Sequence, residues 1–400
     1  MTILDYLIFG IYILIMVLIG IYAGKKIKNT SDMFNAGGKS PWWITGLSSY
    51  MTMFSAGSFV VWGGIAYRQG FVAITILLCF SIAALLAGVF VAGKWYRMGL
   101  STPVQYIQRR FGERMVKFYT FFGIFYRLFA LGMSLYSLSI LFTAIYAAFA
   151  YNNNLLPIII CIAGLVIILY TMMGGLWAVL ISDFMQFSVL TISVIMVVTF
   201  CFIKTGGIGN FLEKIPAGHT SFFTPSYDFI FILFWIATQF FKVGGEWAYI
   251  QRFTCVPSER DAKKSAYLFA AIAFISPFLW MIPPIYYTII DPSANPEQAY
   301  ILACKDVLPA GFMGLIFSAM FSASASTISG ELNVFSGIIT KDIYEKMNAN
   351  VLTEKHLINA GRVFTIILGL IVIILAINIP NFGGAERVVI TTTGMLGSPM

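Results

Sequence analysis

The chain has 400 residues, 59% of them hydrophobic and only 10% charged, with a net charge of +8 and a mean hydropathy of +0.86. That composition excludes a set of soluble domains and describes an integral membrane protein. The basic excess does not point to nucleic acid, because no basic run exceeds Lys25-Lys26-Ile27-Lys28 and the charge rule of bilayers accounts for it.

A spanning helix needs about 20 mostly apolar residues, and the first such run covers residues 4–23, closed by Gly24-Lys25-Lys26. It is too long for a signal peptide and has no cleavage site. Further runs fall near 42–67, 71–93, 118–149, 155–173, 176–203, 228–250, 264–290, 311–339 and 359–379, and an eleventh starts near 386. The connectors are short and rich in Gly, Pro, Asn and Lys/Arg, so residues 1–400 read as a single transmembrane domain. Most of the 25 basic residues lie in the odd connectors, which predicts a cytoplasmic location for these and places the N-terminus outside. Compact loops without a targeting peptide suit a bacterial inner membrane.

Beyond an accessory helix at 1–24, the chain divides into two five-helix halves, 42–203 and 227–400. Five is odd, so the halves enter the membrane from opposite sides as an inverted repeat, the second of which is incomplete at Met400. Each half opens with a helix weakened at mid-membrane: Met53-Phe54-Ser55-Ala56-Gly57-Ser58 in the first, Lys242-Val243-Gly244-Gly245-Glu246 in the second. A single such glycine reads as helix packing. A matched pair beside polar groups reads as a binding site, since unwound backbone is tolerated at depth only where it lines a cavity.

Five charges fall within spans: Arg127, Asp183, Lys242, Glu246 and Glu331. Each is costly there and so a functional candidate. Lys242 and Glu246 stand four apart and can also pair as a structural bridge. Arg127 lies about 14 Å into its span at 1.5 Å per residue, and must meet an acid, a substrate anion or helix-end carbonyls. Asp183 suits a cation. The stretch Phe317–Ser329 crowds hydroxyls into a span that should be leucine-rich, with Ser322, Ser326 and Ser329 on one face beside Ala323 and Thr327. Close packing explains such a face taken alone; beside an aspartate and a broken helix, its oxygens suit sodium.

These residues resemble the sodium/solute symporter family, whose members carry sugars, proline, other small solutes and acidic sugars on a LeuT-type fold. The resemblance covers nearly the whole chain. It rests on Gly37-Gly38 followed by Pro41-Trp42-Trp43; Gln105 through Gly112; Gly174-Gly175-Leu176-Trp177 through Ser182-Asp183 and Gln186; Gln251-Arg252; Pro277 and Pro283; and Leu332-Asn333 leading to Asp342-Ile343-Tyr344. The fold it implies is an all-α 5+5 inverted repeat with one extra N-terminal helix. The main sodium site it implies uses the carbonyls of Met51, Phe54 and Ala323 and the hydroxyls of Ser326 and Thr327. A second cation site would use Asp183, Ser326 and Ser329, with Gly330 standing where such members often carry a hydroxyl. Ser55, Gly57 and Ser58 at the first break, Gln239, Lys242 and Glu246 at the second, and Arg127 are the candidate solute ligands. Gly57 and Ser58 replace the acid and amide of sugar-binding members, and Lys242 replaces the aromatic inner gate, which together favour a carboxylate-bearing solute.

The function implied is sodium-coupled symport of a small organic solute into the cytoplasm by alternating access, with sodium as co-transported ion, no organic cofactor and no catalysis. The rival readings are a proton-coupled carrier and a transporter-like membrane sensor. A channel would show a repeated filter or charged rings; an enzyme would need more than the two histidines, His219 and His356, and five scattered cysteines.

Overall fold

The computed structural model describes residues 2–100, 102–146, 155–309, 311–348 and 352–382. The expected eleventh helix lies outside them. Helices form because a spanning segment must satisfy its own backbone hydrogen bonds in lipid. In chain order they are α1 (Ile3–Gly24), α2 (Thr30–Asn35), α3 (Trp42–Met53), α4 (Gly63–Gln69), α5 (Val72–Ala87), α6 (Gly93–Arg97), α7 (Pro103–Phe111), α8 (Glu113–Tyr146) and α9 (Leu155–Thr205). There follow α10 (Ile208–Lys214), α11 (Phe229–Gly245), α12 (Trp247–Thr254), α13 (Glu259–Trp280), α14 (Ile282–Ile290), α15 (Ala299–Val307), α16 (Met313–Ile338), α17 (Glu345–Met347) and α18 (Glu354–Asn378).

Among the described residues, 7 helices are long and apolar enough to cross a membrane, or 8 if the bent pair α11 and α12 is one span. The 51-residue α9 is two helices joined at a kink. Gly175 sits at φ 51°, ψ −146°, which only glycine adopts without strain, and breaks the helix between the predicted runs 155–173 and 176–203. Side chains mark the helix starts: Asp228 accepts from the Phe231 N–H at α11, Ser258 from Asp261 at α13 and Thr353 from His356 at α18. Phe121, Phe229, Phe234 and Phe241 stand exposed, as lipid-facing side chains do.

The chain packs as two compact units. The first comprises Met1–Ile13, Pro41–Met98 and Asp183–Ala323. Within it α13 packs on α3 and α5, and α11 on α5. The second comprises Leu14–Ser40, Gly99–Ser182 and Ser324–Met400, with α18 packed on α8. There the ring of Phe34, from the short α2, fills the space left by Gly337 and Gly361, and Asn333 Nδ2 donates to the Met33 carbonyl at 3.2 Å.

Candidate functional site

The first predicted weak point is a break. α3 ends at Met53, and Phe54 is extended at φ −92°, ψ 134°, its N–H turned back to the Met51 carbonyl at 3.0 Å. Ser55 and Ser58 close the gap reciprocally: the Ser55 N–H donates to Ser58 Oγ at 3.2 Å and the Ser58 N–H to the Ser55 carbonyl at 2.9 Å. Residues Ser58–Trp62 then form a π-helical turn leading into α4. Such turns recur at functional sites because they release backbone groups from the α ladder. Phe54 lies 4.6 Å from the Trp280 ring, and Phe59 packs on Trp280 and Tyr300 at 5.4 and 4.8 Å. This aromatic cluster leaves a cavity of about 10 Å³ against Met53, Ser58 and Trp62, space for about one water.

The second predicted weak point is also a break. α11 and α12 meet at a 55° bend where Glu246 is extended at φ −71°, ψ 133° and its N–H reaches the Lys242 carbonyl at 2.9 Å. The Gly244 carbonyl accepts the indole N–H of Trp95 at 2.8 Å, so a side chain supplies the donor that a continuous helix would have supplied. The side chains here diverge. Gln239 is 3% exposed, and its Oε1 has no hydrogen-bond partner among the described residues. Glu246 is buried, while Lys242 is exposed with its ammonium 5.8 Å over the Phe80 ring. One turn before Gln239, Trp235 meets Trp62 edge-on at 6.1 Å, which brings α11 against the first broken element.

Asp183 is not alone. The Ser48 hydroxyl donates to its Oδ2, and Nη2 of Arg252 stands 3.9 Å from the same oxygen, both side chains fully buried. Arg252 Nε donates to Ser48 Oγ at 3.2 Å, and Nη1 to the Ala248 carbonyl and Gln251 Oε1 at 3.1 and 3.2 Å. A buried carboxylate is tolerable with such a partner. Arg252 is the residue that sequence reasoning missed. It lies just beyond the predicted run 228–250, whereas the bend after Gly245 turns α12 inward and carries it into the packed interior. Its signal was the Gln251-Arg252 pair, six residues beyond the break.

The predicted hydroxyl face of α16 is buried. Ser322, Ala323, Ser326 and Ser329 are within 1% of full burial, and Thr327 is half-buried. Ser329 Oγ donates to the Ser326 carbonyl at 3.1 Å, and the Tyr170 hydroxyl to the Ala325 carbonyl at 3.0 Å. The boundary between the units falls between Ala323 and Ser324. Met51, Phe54, Asp183 and Ala323 therefore belong to the first, and Ser326, Thr327 and Ser329 to the second. Arg127 meets an acid, one of its three predicted partners. Its Nη1 lies 3.4 Å from Glu331 Oε1, with the arginine 29% and the glutamate 3% exposed.

A sequence model described as "Sodium:solute symporter family" matches residues 33–400. The chain is 27% identical over 429 residues to the sodium/sialic acid symporter NanT of Aliivibrio fischeri, covering 99% of this chain and 81% of that protein. It is 25% identical over 439 residues to a sodium/glucose cotransporter of Vibrio parahaemolyticus, covering 99% and 79%. Among solved structures, a Na+-coupled sialic acid symporter in a substrate-bound outward-open state superposes with a TM-score of 0.84 at 22% identity, covering 94% of this chain and 82% of that one.

Proposed function

The chain belongs to the sodium:solute symporter family, and from that membership we propose that it carries a hydroxylated, carboxylate-bearing solute, such as an acidic sugar, into the cell together with sodium. It is a multi-pass membrane transporter and not an enzyme. The observation that carries the solute reading is Gln239. Its buried amide oxygen lacks a donor among the described residues, about two turns before the second break and one turn after Trp235, which meets Trp62. An acceptor left unsatisfied in a dry setting costs about 1–3 kcal/mol, and a solute hydroxyl removes that cost. The similarity to sodium/sialic acid symporters supports a carboxylate on the same solute.

In this reading Ser55, Gly57 and Ser58 face the solute from the first break, and Gln239, Lys242 and Glu246 from the second. Lys242 leaves Phe80 to meet the carboxylate, and Arg127, shared with Glu331, adds positive potential. The carbonyls of Met51, Phe54 and Ala323 and the hydroxyls of Ser326 and Thr327 ligate sodium, a set of neutral oxygens suited to a hard monovalent ion. The Met51 carbonyl already receives the Phe54 N–H and keeps a second lone pair for the ion. Sodium and solute each raise the other's affinity, because both act on the first broken element, and alternating access then delivers both to the low-sodium side. A second cation on Asp183, Ser326 and Ser329 would compete for the Asp183 carboxylate with the Arg252 guanidinium 3.9 Å away. The basic connectors support an N-terminus on the outer side of a bacterial inner membrane.

Uptake of labelled sialic acid into vesicles carrying the protein tests this reading. Unlabelled acidic sugars are expected to compete and neutral hexoses to compete poorly; competition by neutral sugars alone overturns it.

A further inference from the structure

α1 precedes the repeats, yet it is fastened to the serine-rich helix at two places. At the start of α16, Asp5 Oδ1 accepts the Gly314 N–H at 2.9 Å, while Oδ2 accepts the Thr2 N–H and hydroxyl at 2.7 and 2.9 Å. Asp5 is 1% exposed. The backbones touch here: a Cβ on Gly314 would stand 2.2 Å from the Asp5 carbonyl oxygen. Two turns further, the hydroxyls of Tyr12 and Ser322 meet at 2.7 Å, both groups buried. Ser322 spends its one proton on the Ser318 carbonyl at 2.6 Å, so Tyr12 is the donor. The rings of Phe9 and Tyr12 each meet Phe321 at 6.0 Å.

Ser322 immediately precedes Ala323 and stands one turn before Ser326 and Thr327 on the same helix. We infer that Tyr12 is a positioning residue for the sodium ligands of α16, so that the helix outside the repeats sets the sodium affinity. Tyr12 touches neither cargo in this reading. It holds Ser322, and with it the register of the carbonyl at 323, while Asp5 fixes the start of the same helix. Back-bonding of a serine to its own helix often bends helices, and a phenol donating from outside holds α16 to one geometry at Ser322. The inference rests on the proposed sodium set.

The test measures sodium half-saturation, maximal uptake and solute half-saturation for the full chain and for Tyr12→Phe, Ser322→Ala and the double variant. Loss of one buried hydrogen bond corresponds to about a three- to tenfold shift. Tyr12→Phe is expected to raise sodium half-saturation by that factor, with maximal uptake and solute half-saturation at saturating sodium unchanged. The double variant is expected to shift no more than the larger single change, because both remove the same contact. If Tyr12→Phe folds poorly, Ser322→Ala alone reads the same contact from its other side. Unchanged sodium half-saturation in both single variants overturns the inference, as does a loss of maximal uptake alone, which marks a structural tyrosine. A parent chain whose uptake ignores sodium overturns the symport reading itself and this inference with it.

Discussion

Arg252 Nη2 stands 3.9 Å from Asp183 Oδ2, with neither side chain exposed and Ser48 bonded to both. The two charges cancel inside the first unit, and each is the other's reason for being tolerated there. Removing one leaves the other stranded, at a cost of about 3–5 kcal/mol. Arg252→Gln is therefore expected to lower the melting temperature sharply, and Asp183→Asn added to it to recover part of the loss. A melting temperature unmoved by Arg252→Gln would show that the pair is not formed.

The same pair bears on stoichiometry. With Arg252 supplying the countercharge of Asp183, one sodium per cycle is expected, and the sodium dependence of uptake has a Hill coefficient close to one. One sodium with a monocarboxylate moves no net charge, so a potassium diffusion potential leaves the initial rate unchanged. A second sodium would add about 2.3 kcal/mol of drive per 100 mV, and a rate that rises with negative internal potential would reveal it.

Trp95 holds the carbonyl of Gly244 at 2.8 Å and so holds the shape of the second break. Trp95→Phe keeps the ring and removes the donor, which costs about 1 kcal/mol. Solute half-saturation is expected to rise severalfold while sodium half-saturation at saturating solute stays put. A sodium shift without a solute shift would contradict the placement of the solute at this break.

Arg127 and Glu331 separate two roles for a half-buried arginine. Where pairing dominates, each charge removal lowers uptake of every solute and the swapped double variant Arg127→Glu, Glu331→Arg restores some of it. Where the solute carboxylate is the partner, Arg127→Gln weakens acidic solutes selectively and the swap restores nothing. The account combines a shared guanidinium with an anionic solute, and predicts selective weakening of acidic solutes by Arg127→Gln together with partial recovery in the swap.

The breaks and most of the long apolar helices were legible because their causes are local, although the predicted run 42–67 is not among the helices long and apolar enough to cross a membrane. Gly244-Gly245 and the Ser55–Ser58 stretch weaken helices wherever they occur, Gly175 ends one helix and begins another, and apolar length reports membrane crossing. Pairings made by folding were not legible. Arg252 reads as a topology charge until the 55° bend carries it inside, and Lys242 points to a solute in the sequence but rests over Phe80 in the structure. Tyr12 and Ser322 are 310 positions apart, a separation at which no periodicity or spacing rule operates.

The most direct measurement is the thermal stability of the purified protein with and without an acidic sugar, in sodium and in potassium. Coupled binding makes the solute stabilise only when sodium is present, by an amount that grows with the logarithm of either concentration. Stabilisation by the acidic sugar in sodium and none in potassium is the predicted result. Equal stabilisation in both salts would contradict sodium coupling at Met51, Phe54, Ala323, Ser326 and Thr327.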